Sequence, residues 1–560
     1  MFRALDYVNY TSLELNHARD PRVEEPPELF EAPSLQEICC DALNDSTGIR
    51  VGFPQLLLDA LKVLPMHVAV TLFRVAVDKQ QCSAISHIIS VWPFKTLCLR
   101  ELLQGTGYHD IFQEEMGFDL VILRGLLRRR KCCKMNCLDL RGFKLNKGFS
   151  MLIAQLWPLI SLPRRTLADV KRLTQMVIDN AGLAHHKPIA SHIATVLEHK
   201  VATLMSRCKD FHINIQKGQE LLVKIDSLQF TSTDSLFQDY FVANCLRNVT
   251  PLKIQVSQLF FRTSAWTVQS DPDFILSPYA VLNGHDTQFL EGLSLRQLDD
   301  GVFKYVAPTL YKFKNLQAIE LQDCNIYLQN GKTRSKTEVR KALCNFLSEF
   351  PLLVRLDLSF NFLFGCLGEV LASVSRPLQY LGLRGCDLNV SDLEALAKSK
   401  HAASLRELNL SKLNLGALHY YLEERSQAMK TMVSILQSFP RLAVLNLSQN
   451  NLPDVQVDRL CSVLRTSLKQ LKVLDVAAIV MSPQHQVDIC LACASIPTFQ
   501  KICITLVTSL VDELNNWNGI EDVANKITRK LYAAGRWDVR LETVLFSRAL
   551  FMDIVDDLQF

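Results

Sequence analysis

The stretch LVRLDLSFNFL (Leu353–Leu363) places its apolar residues and one asparagine at the spacing L-x-x-L-x-L-x-x-N-x-L. The stretch LAVLNLSQNNL (Leu442–Leu452) repeats this skeleton at every defined position. Leucines that recur on one side of a short strand need an apolar neighbour to cover them, and a second copy of the same unit provides that cover. The pattern therefore predicts an array of stacked strand and helix units.

Further copies of the skeleton extend over the second half of the chain. They begin at Leu290, Leu316, Leu378, Leu405, Leu471 and Phe499. Successive copies start between 25 and 37 residues apart, a period typical of the leucine-rich repeat. The fold class predicted is an α/β leucine-rich-repeat solenoid, a horseshoe, with a helical N-terminal adaptor module. Cys324 and Cys386 occupy the Asn/Cys position of the skeleton, so we expect structural hydrogen bonds from them rather than reactive thiols.

The same pattern suggests a division of the whole chain. We expect a flexible segment at 1–33, a helical adaptor module at 34–134, a first weak repeat at 135–149 and a helical insertion at 150–215. The main repeats would cover 216–515, and a capping helix and strand would close the array at 516–560, because solenoids need polar end caps.

Composition limits the classes of function. Of 560 residues, 48% are apolar and 21% charged, which excludes wholesale disorder. The net charge of +4 does not favour a dedicated nucleic-acid binder or a polybasic membrane protein. No apolar run is long enough for a transmembrane helix, and the first residues do not resemble a signal peptide. With 17 cysteines at irregular spacing, we expect free thiols and a cytoplasmic protein.

Two short boxes lie on predicted helices near the N-terminus. Ser34 and Glu37 form a capping box, and the helix after it carries Leu35, Cys39 and Leu43 on its apolar stripe. Their spacing matches the box that docks on Elongin C. Downstream, the spacing of the box that favours cullin-2 is matched by Leu64, Pro65, Val68 and Leu72. The alternative is that both stripes only form a core that caps the solenoid.

Specific stretches of this region resemble the opening of the PRAME family. They are Leu64–Phe73, Val91–Phe94 with Leu97 and Leu99, and Cys137–Arg141, and the segment Lys530–Trp537 resembles the family's tail. The most similar branch is that of leucine-rich-repeat-containing protein 14. Segments 1–33 and 150–215 have no counterpart in the resemblance.

The resemblance implies protein binding rather than catalysis. PRAME-family proteins act as substrate receptors of cullin-2 ubiquitin ligases, and the leucine-rich-repeat-containing 14 branch restrains NF-κB signalling by binding IκB kinase. The expected partners are therefore Elongin B/C, cullin-2 and a protein substrate, with IκB kinase as a further candidate, and no cofactor, nucleic acid or membrane.

The other clusters of reactive side chains do not predict a metal site or a catalytic site. Four histidines (His185, His186, His192 and His199) fall within a predicted helical insertion, but no nearby cysteine pair completes a zinc site, so no metal is expected. Cys490 and Cys493 form a lone C-x-x-C. The basic run Arg128–Lys134 is either a nuclear localisation signal or a solvated connector. No phosphate loop or nucleophile elbow is present, so an enzyme is not expected.

The side chains that alternate with the leucines define the candidate partner-binding face, the concave inner wall of the solenoid; the alternative is that this face is only solvated and that binding occurs elsewhere. Those chosen as partner-binding are Glu320, Arg355, Asp357, Tyr380, Arg384, Glu407 and Asp475. This mixed-charge strip with arginine and an aromatic residue is typical of protein interfaces and unlike a uniformly basic phosphate-binding wall. The function predicted is a cullin-2-RING ubiquitin ligase receptor, and the alternative is a non-catalytic scaffold that masks a signalling complex such as IκB kinase.

Overall fold

The computed structural model describes residues 63–103, 117–127, 132–142, 167–180, 220–231, 252–262, 288–297, 311–324, 334–415, 422–479, 481–506 and 517–544, with residues 12–13 and single positions between these ranges. The chain divides into two compact units. Glu25–Leu293 forms the N-terminal unit, and Ser294–Phe560 together with Met1–Glu24 forms the C-terminal unit. The short first strand, β1 (Ser12–Leu13), belongs to the C-terminal unit.

Helices dominate the first part of the N-terminal unit. They are α1 (Met66–Asp78), α2 (Cys82–Ser90), α3 (Leu99–Leu102), α4 (Gly117–Leu127) and α5 (Leu167–Asn180). Helix α1 begins directly after Pro65, which occupies the N-cap position; proline suits a helix start because it leaves no unpaired amide there. Helix α2 packs closely on α4 at Gly125, where a Cβ would lie 2.7 Å from the Cβ of Ile89.

Trp92, the first residue of the Trp-Pro-Phe motif (Trp92–Phe94), is buried in this unit with 1% of its surface exposed. Its ring makes edge-to-face contacts with Phe73, at 6.2 Å between centroids, and with Phe94, at 5.6 Å. The indole N–H donates to the carbonyl of Thr96 at 2.9 Å. The motif therefore connects the helices of this unit to the strand that begins at Thr96.

The strands of the N-terminal unit are parallel and lie in chain order. They are β2 (Thr96–Cys98), β3 (Cys137–Asp139), β4 (Leu221–Thr231) and β5 (Leu252–Arg262). Thr96 aligns with Cys137, so the sheet begins one strand before the first repeat at residue 135 that the skeleton predicts. The skeleton does not predict this strand because β2 is short and carries only one buried leucine, Leu97, without the other positions of the repeat.

In the C-terminal unit the predicted repeats form a second series of parallel strands. These strands are β6 (Gly292–Arg296), β7 (Ala318–Gln322), β8 (Arg355–Asp357), β9 (Tyr380–Gly382), β11 (Glu407–Asn409), β13 (Val444–Asn446), β14 (Val473–Val476), β15 (Lys501–Ile504) and β16 (Arg540–Val544). β10 (Asp387–Leu388) and β12 (Asn414–Leu415) pair with each other in a separate small sheet. β1 pairs antiparallel with β16.

A helix follows most of these strands and contacts the helix of the next repeat. The helices are α6 (Arg334–Ser348), α7 (Leu367–Ser373), α8 (Val390–Lys398), α9 (Leu422–Ile435), α10 (Asp454–Thr466), α11 (Pro483–Ala494) and α12 (Trp517–Ala533). A 3₁₀ turn, Leu436–Ser438, extends α9. The skeleton leucines of the strands are buried, with Leu356, Leu381 and Leu445 at 0% exposure. The α/β leucine-rich-repeat fold predicted from the sequence is confirmed.

The corner after each strand explains the Asn/Cys position of the skeleton. The Asn361 carboxamide oxygen accepts from the backbone N–H of Cys324 at 3.1 Å and Ile326 at 3.2 Å, and its NH₂ donates to the carbonyl of Leu321 at 2.6 Å. The thiol of Cys324 donates to the carbonyl of Leu295 at 3.3 Å. The thiol of Cys386 likewise donates to the carbonyl of Leu358 at 3.2 Å. The corner roles predicted for Cys324 and Cys386 are therefore confirmed, because both thiols satisfy backbone groups that are buried between repeats.

Candidate protein-binding surfaces

The outward face of the strands in the C-terminal unit carries a polar strip. We define the polar strip as Glu320, Gln322, Arg355, Asp357, Tyr380, Arg384, Glu407, Asn409, Asn446 and Asp475. These side chains alternate with the buried leucines, so they lie on the other side of the sheet. The register places Arg355, Tyr380 and Glu407 in one row across β8, β9 and β11.

Arg355 crosses the neighbouring strand to reach an acid two strands away. Its guanidinium lies 4.4 Å from the centroid of the Tyr380 ring. Two of its nitrogens donate to the two carboxylate oxygens of Glu407, at 3.2 and 3.1 Å. A bidentate pair of this kind, stacked on an aromatic ring, has a well-defined geometry. The contact fixes the outer surface of three strands.

Asp357, two residues after Arg355 on β8, is a buried hydrogen-bonding centre. Only 3% of its surface is exposed, and its carboxylate accepts from the hydroxyl of Tyr380 at 2.7 Å and the side-chain amide of Gln322 at 2.9 Å. Burial, followed by the nearby Asp357 charge, raises the pKa of Tyr380 well above its ordinary value. A Cβ at Gly382 would lie 2.5 Å from this carboxylate, so the neighbouring strand needs glycine there.

Several acids and amides of the polar strip also serve the backbone. The side chain at the third strand position accepts from the backbone N–H two residues later, forming an Asx turn, at Asp357, Asn409, Asn446 and Asp475. Asp139 of the N-terminal unit makes the same turn. Sequence reasoning missed this role, although the recurrence of Asp or Asn between two apolar residues signals it. Burial raises the pKa of Asp475, and the hydrogen bond from Ala477 opposes that shift.

Glu320 lies at the start of the polar strip and is 7% exposed. Its carboxylate is 3.6 Å from the guanidinium of Arg296 on the preceding strand. Burial raises the pKa of Glu320, and the neighbouring Asp357 charge raises it further, while Arg296 opposes the shift. Glu320 therefore contributes to the packing of the strip more than to its surface.

Arg384 differs from the other charged groups of the polar strip. Its guanidinium lies 5.5 Å from the centroid of the Phe360 ring, and one terminal nitrogen donates to the neutral side chain of Gln449 at 3.3 Å. Its Nε–H is buried and has no acceptor among the described residues. The residues predicted to bind a partner thus differ in exposure: Arg355, Arg384, Glu407 and Asp475 are half-exposed, whereas Glu320, Asp357 and Tyr380 are buried.

The second candidate surface is the start of helix α1. Pro65 is exposed, Leu64 and Val68 are half-buried, and Leu72 is fully buried, so in this conformation Leu72 packs inside the unit. Two apolar neighbours are also exposed, Val63 at 82% and Met66 at 53%. A partner could therefore reach the first part of the predicted cullin box. The predicted Elongin C-binding residues Leu35, Cys39 and Leu43 lie outside the described residues.

The remaining sequence candidates yield no reactive cluster in the described ranges. Burial raises the pKa of Cys490 to about 12 and that of Cys493 well above its ordinary value, which disfavours the thiolate. Of the four histidines in the predicted insertion, His199 alone is described, and the basic residues Arg128–Lys131 lie outside the described ranges. No three metal-binding side chains converge within the part of the chain that is described.

None of the described helices is long and apolar enough to span a bilayer.

Comparison with known proteins points to leucine-rich-repeat relatives. The chain is 23% identical over 408 residues to leucine-rich repeat-containing protein 14 of Xenopus laevis, an alignment that covers 68% of this chain and 71% of that protein. It is 22% identical over 394 residues to PRAME family member 20 of Homo sapiens, covering 70% of this chain and 69% of that protein. The resemblance inferred from the sequence is thus confirmed. No model of a protein family matches the chain.

A solved structure with the same kind of repeat is the leucine-rich repeat-containing protein LegL7 from Legionella pneumophila. It is 17% identical, and the superposition covers 57% of this chain and 94% of that chain with a TM-score of 0.33.

Proposed function

We propose that this chain is a substrate-recognition receptor of a cullin-2-RING ubiquitin ligase. The polar strip would hold a protein substrate, and the N-terminal boxes would recruit Elongin B/C and cullin-2. The chain would then supply proximity between the substrate and a ubiquitin-charged enzyme rather than chemistry of its own. The leucine-rich-repeat fold and the PRAME-family relatives support a protein-binding scaffold.

The observation that carries the cullin part of this proposal is the exposed apolar start of helix α1. Val63 and Met66 expose large apolar side chains on either side of Leu64 and Pro65. Exposed apolar side chains that cluster in this way are a recurrent mark of a protein-binding site. They coincide with the box whose spacing matches cullin-2 docking.

The proposal is tested by affinity purification of the wild type beside the double variant Leu35→Asp/Cys39→Asp. We expect the wild type to retain Elongin B/C and cullin-2 and the double variant to lose both, because a charge in an apolar docking pocket is strongly unfavourable. A matched control is Cys82→Asp, an exposed cysteine in the first turn of helix α2, where an acid is tolerated. Absence of Elongin from the folded wild type would contradict the receptor role.

A second candidate is the inhibitory scaffold, in which the repeats mask a signalling complex such as IκB kinase. The relatives named leucine-rich repeat-containing protein 14 favour it. One measurement distinguishes the two functions. If the chain is a scaffold, the masked partner stays bound and intact with the Leu35→Asp/Cys39→Asp variant, and its ubiquitination does not depend on Leu35 and Cys39. Ubiquitination that requires Leu35 and Cys39 would favour the ligase receptor.

A further inference from the structure

Arg384 is the cation of the polar strip that has no carboxylate within ion-pair distance among the described residues. The acids around it are already engaged. Asp357 accepts from Tyr380 and Gln322, Glu407 pairs with Arg355, and Asp475 accepts from the backbone of Ala477. The guanidinium therefore has donors to spare, and its charge opposes the rise in the pKa of Asp475 without an ion pair between the two groups.

Two details indicate that Arg384 is held in place for a ligand. Its Nε–H is buried and lacks an acceptor among the described residues, and its Nη2 donates to the neutral side-chain oxygen of Gln449, which a carboxylate can displace for a stronger, charge-assisted hydrogen bond. Its backbone N–H donates to the hydroxyl of Ser359 at 3.1 Å, which fixes the start of the side chain. The guanidinium is thus positioned by the strand and the Phe360 ring.

Phe360, the platform beneath Arg384, has an unusual backbone conformation. Its φ is 61°, in the left-handed region. Corner positions equivalent to it are left-handed in other repeats as well, and they hold Gly142, Gln297, Asp323, Gly385, Lys412, Gln449 and Ala478. A bulky aromatic residue is the least expected of this set, because a side chain with a Cβ is strained there.

We propose that Arg384, stacked on Phe360, binds the carboxylate of an Asp or Glu side chain in a short segment of the partner protein. This inference rests on the proposed role of the polar strip as the partner-binding surface and names the chemistry that the strip recognises. A single carboxylate can accept two parallel N–H bonds from the guanidinium edge. A polyanion such as a nucleic acid does not fit, because the polar strip carries the acids Glu320, Asp357, Glu407 and Asp475 beside two arginines, and they oppose a run of phosphates more strongly than a single carboxylate.

The experiment uses the full chain as bait for a phage-displayed library of random short peptides, and the enriched peptides are then synthesised. We expect an Asp or Glu at a fixed position of the enriched sequence. Arg384→Gln should weaken the peptide by about 10- to 100-fold, as expected for the loss of a charge-assisted hydrogen bond. Arg384→Glu should restore binding to a peptide in which that acid is replaced by lysine.

Two controls make the outcome specific. Lys412→Gln removes an exposed cation from the corner of the adjacent strand and should leave peptide affinity unchanged. Unchanged melting of each variant shows that the fold is intact. A selection without an acidic consensus, or peptides that bind Arg384→Gln as well as the wild type, would overturn the proposal. Elongin capture is measured separately, so failure of the ligase role and failure of this site are distinguishable.

Discussion

His401 shows how a single buried side chain connects two repeats. It is 0% exposed; its Nδ1 accepts from the backbone N–H of Leu378 at 3.0 Å, and its Nε2 lies 2.8 Å from the carbonyl of Leu371, to which it donates. Both bonds require the neutral ring. Burial is the main cause that lowers the pKa of His401 below its ordinary value, and the carbonyl of Leu371 opposes it.

The lowered pKa of His401 gives a pH dependence of definite sign. Above about pH 6.5 the ring is neutral in both the folded and unfolded states, so its contribution to stability is complete. As the pH falls, the unfolded chain binds the proton first, and stability is lost by up to about 1.4 kcal/mol per pH unit. When the pH is lowered from about 7.5 to about 5.5, the melting temperature of the wild type should therefore fall further than that of His401→Gln. Glutamine can reproduce the hydrogen bonds but does not titrate. Equal losses would contradict this role.

Asn361 carries the corner of its repeat through one side chain. Replacing it with alanine leaves the buried N–H groups of Cys324 and Ile326 and the carbonyl of Leu321 without partners. We expect the free energy of unfolding to fall by about 3 kcal/mol or more. Chemical denaturation measures the loss, and Asn345→Ala, at an exposed position of helix α6, is the matched control with an expected change below about 0.5 kcal/mol.

At the scale of elements, one arginine ties the closing strand to the last complete repeat. The guanidinium of Arg536 donates to the carbonyls of Ala494 at 2.7 Å, Ile496 at 2.8 Å and Phe499 at 2.6 Å. These carbonyls follow the C-terminal end of helix α11, where backbone acceptors lack intrahelical donors. The loop between helix α12 and strand β16 is thereby fixed to the neighbouring repeat.

Removal of that connection should loosen the cap before it affects the rest of the repeats. We expect Arg536→Ala to lower the free energy of unfolding by about 2 kcal/mol or more and to speed proteolysis within α12 and β16. Arg529→Ala, an exposed position on α12, should leave both quantities unchanged. Limited proteolysis followed by mass spectrometry locates the cuts; cuts spread evenly along the repeats in Arg536→Ala would argue against a local role.

At the scale of the whole molecule, local periodicity predicted the repeats, because each leucine position depends only on its neighbours along one strand. The pairing of Arg355 with Glu407 could not be predicted in this way, since 52 residues separate the two side chains and the strand register brings them together. The burial of Leu72 likewise depends on packing within its unit rather than on the spacing of its box. The sequence therefore identified the surface strip but not which of its residues are already engaged.

The two proposed binding functions belong to different units of the chain, with Leu35 in one and Arg384 in the other. If they are independent, Leu35→Asp/Cys39→Asp should lose Elongin capture and keep peptide binding, and Arg384→Gln should show the reverse. The affinity of the wild type for the peptide should differ by less than about 0.5 kcal/mol between the free chain and the chain saturated with Elongin B/C, the limit seen for independent sites. Quantitative binding assays on the same preparations measure both affinities. A coupling well above this limit would mean that occupancy of one surface changes the other, and the receptor would then respond to its substrate rather than only hold it.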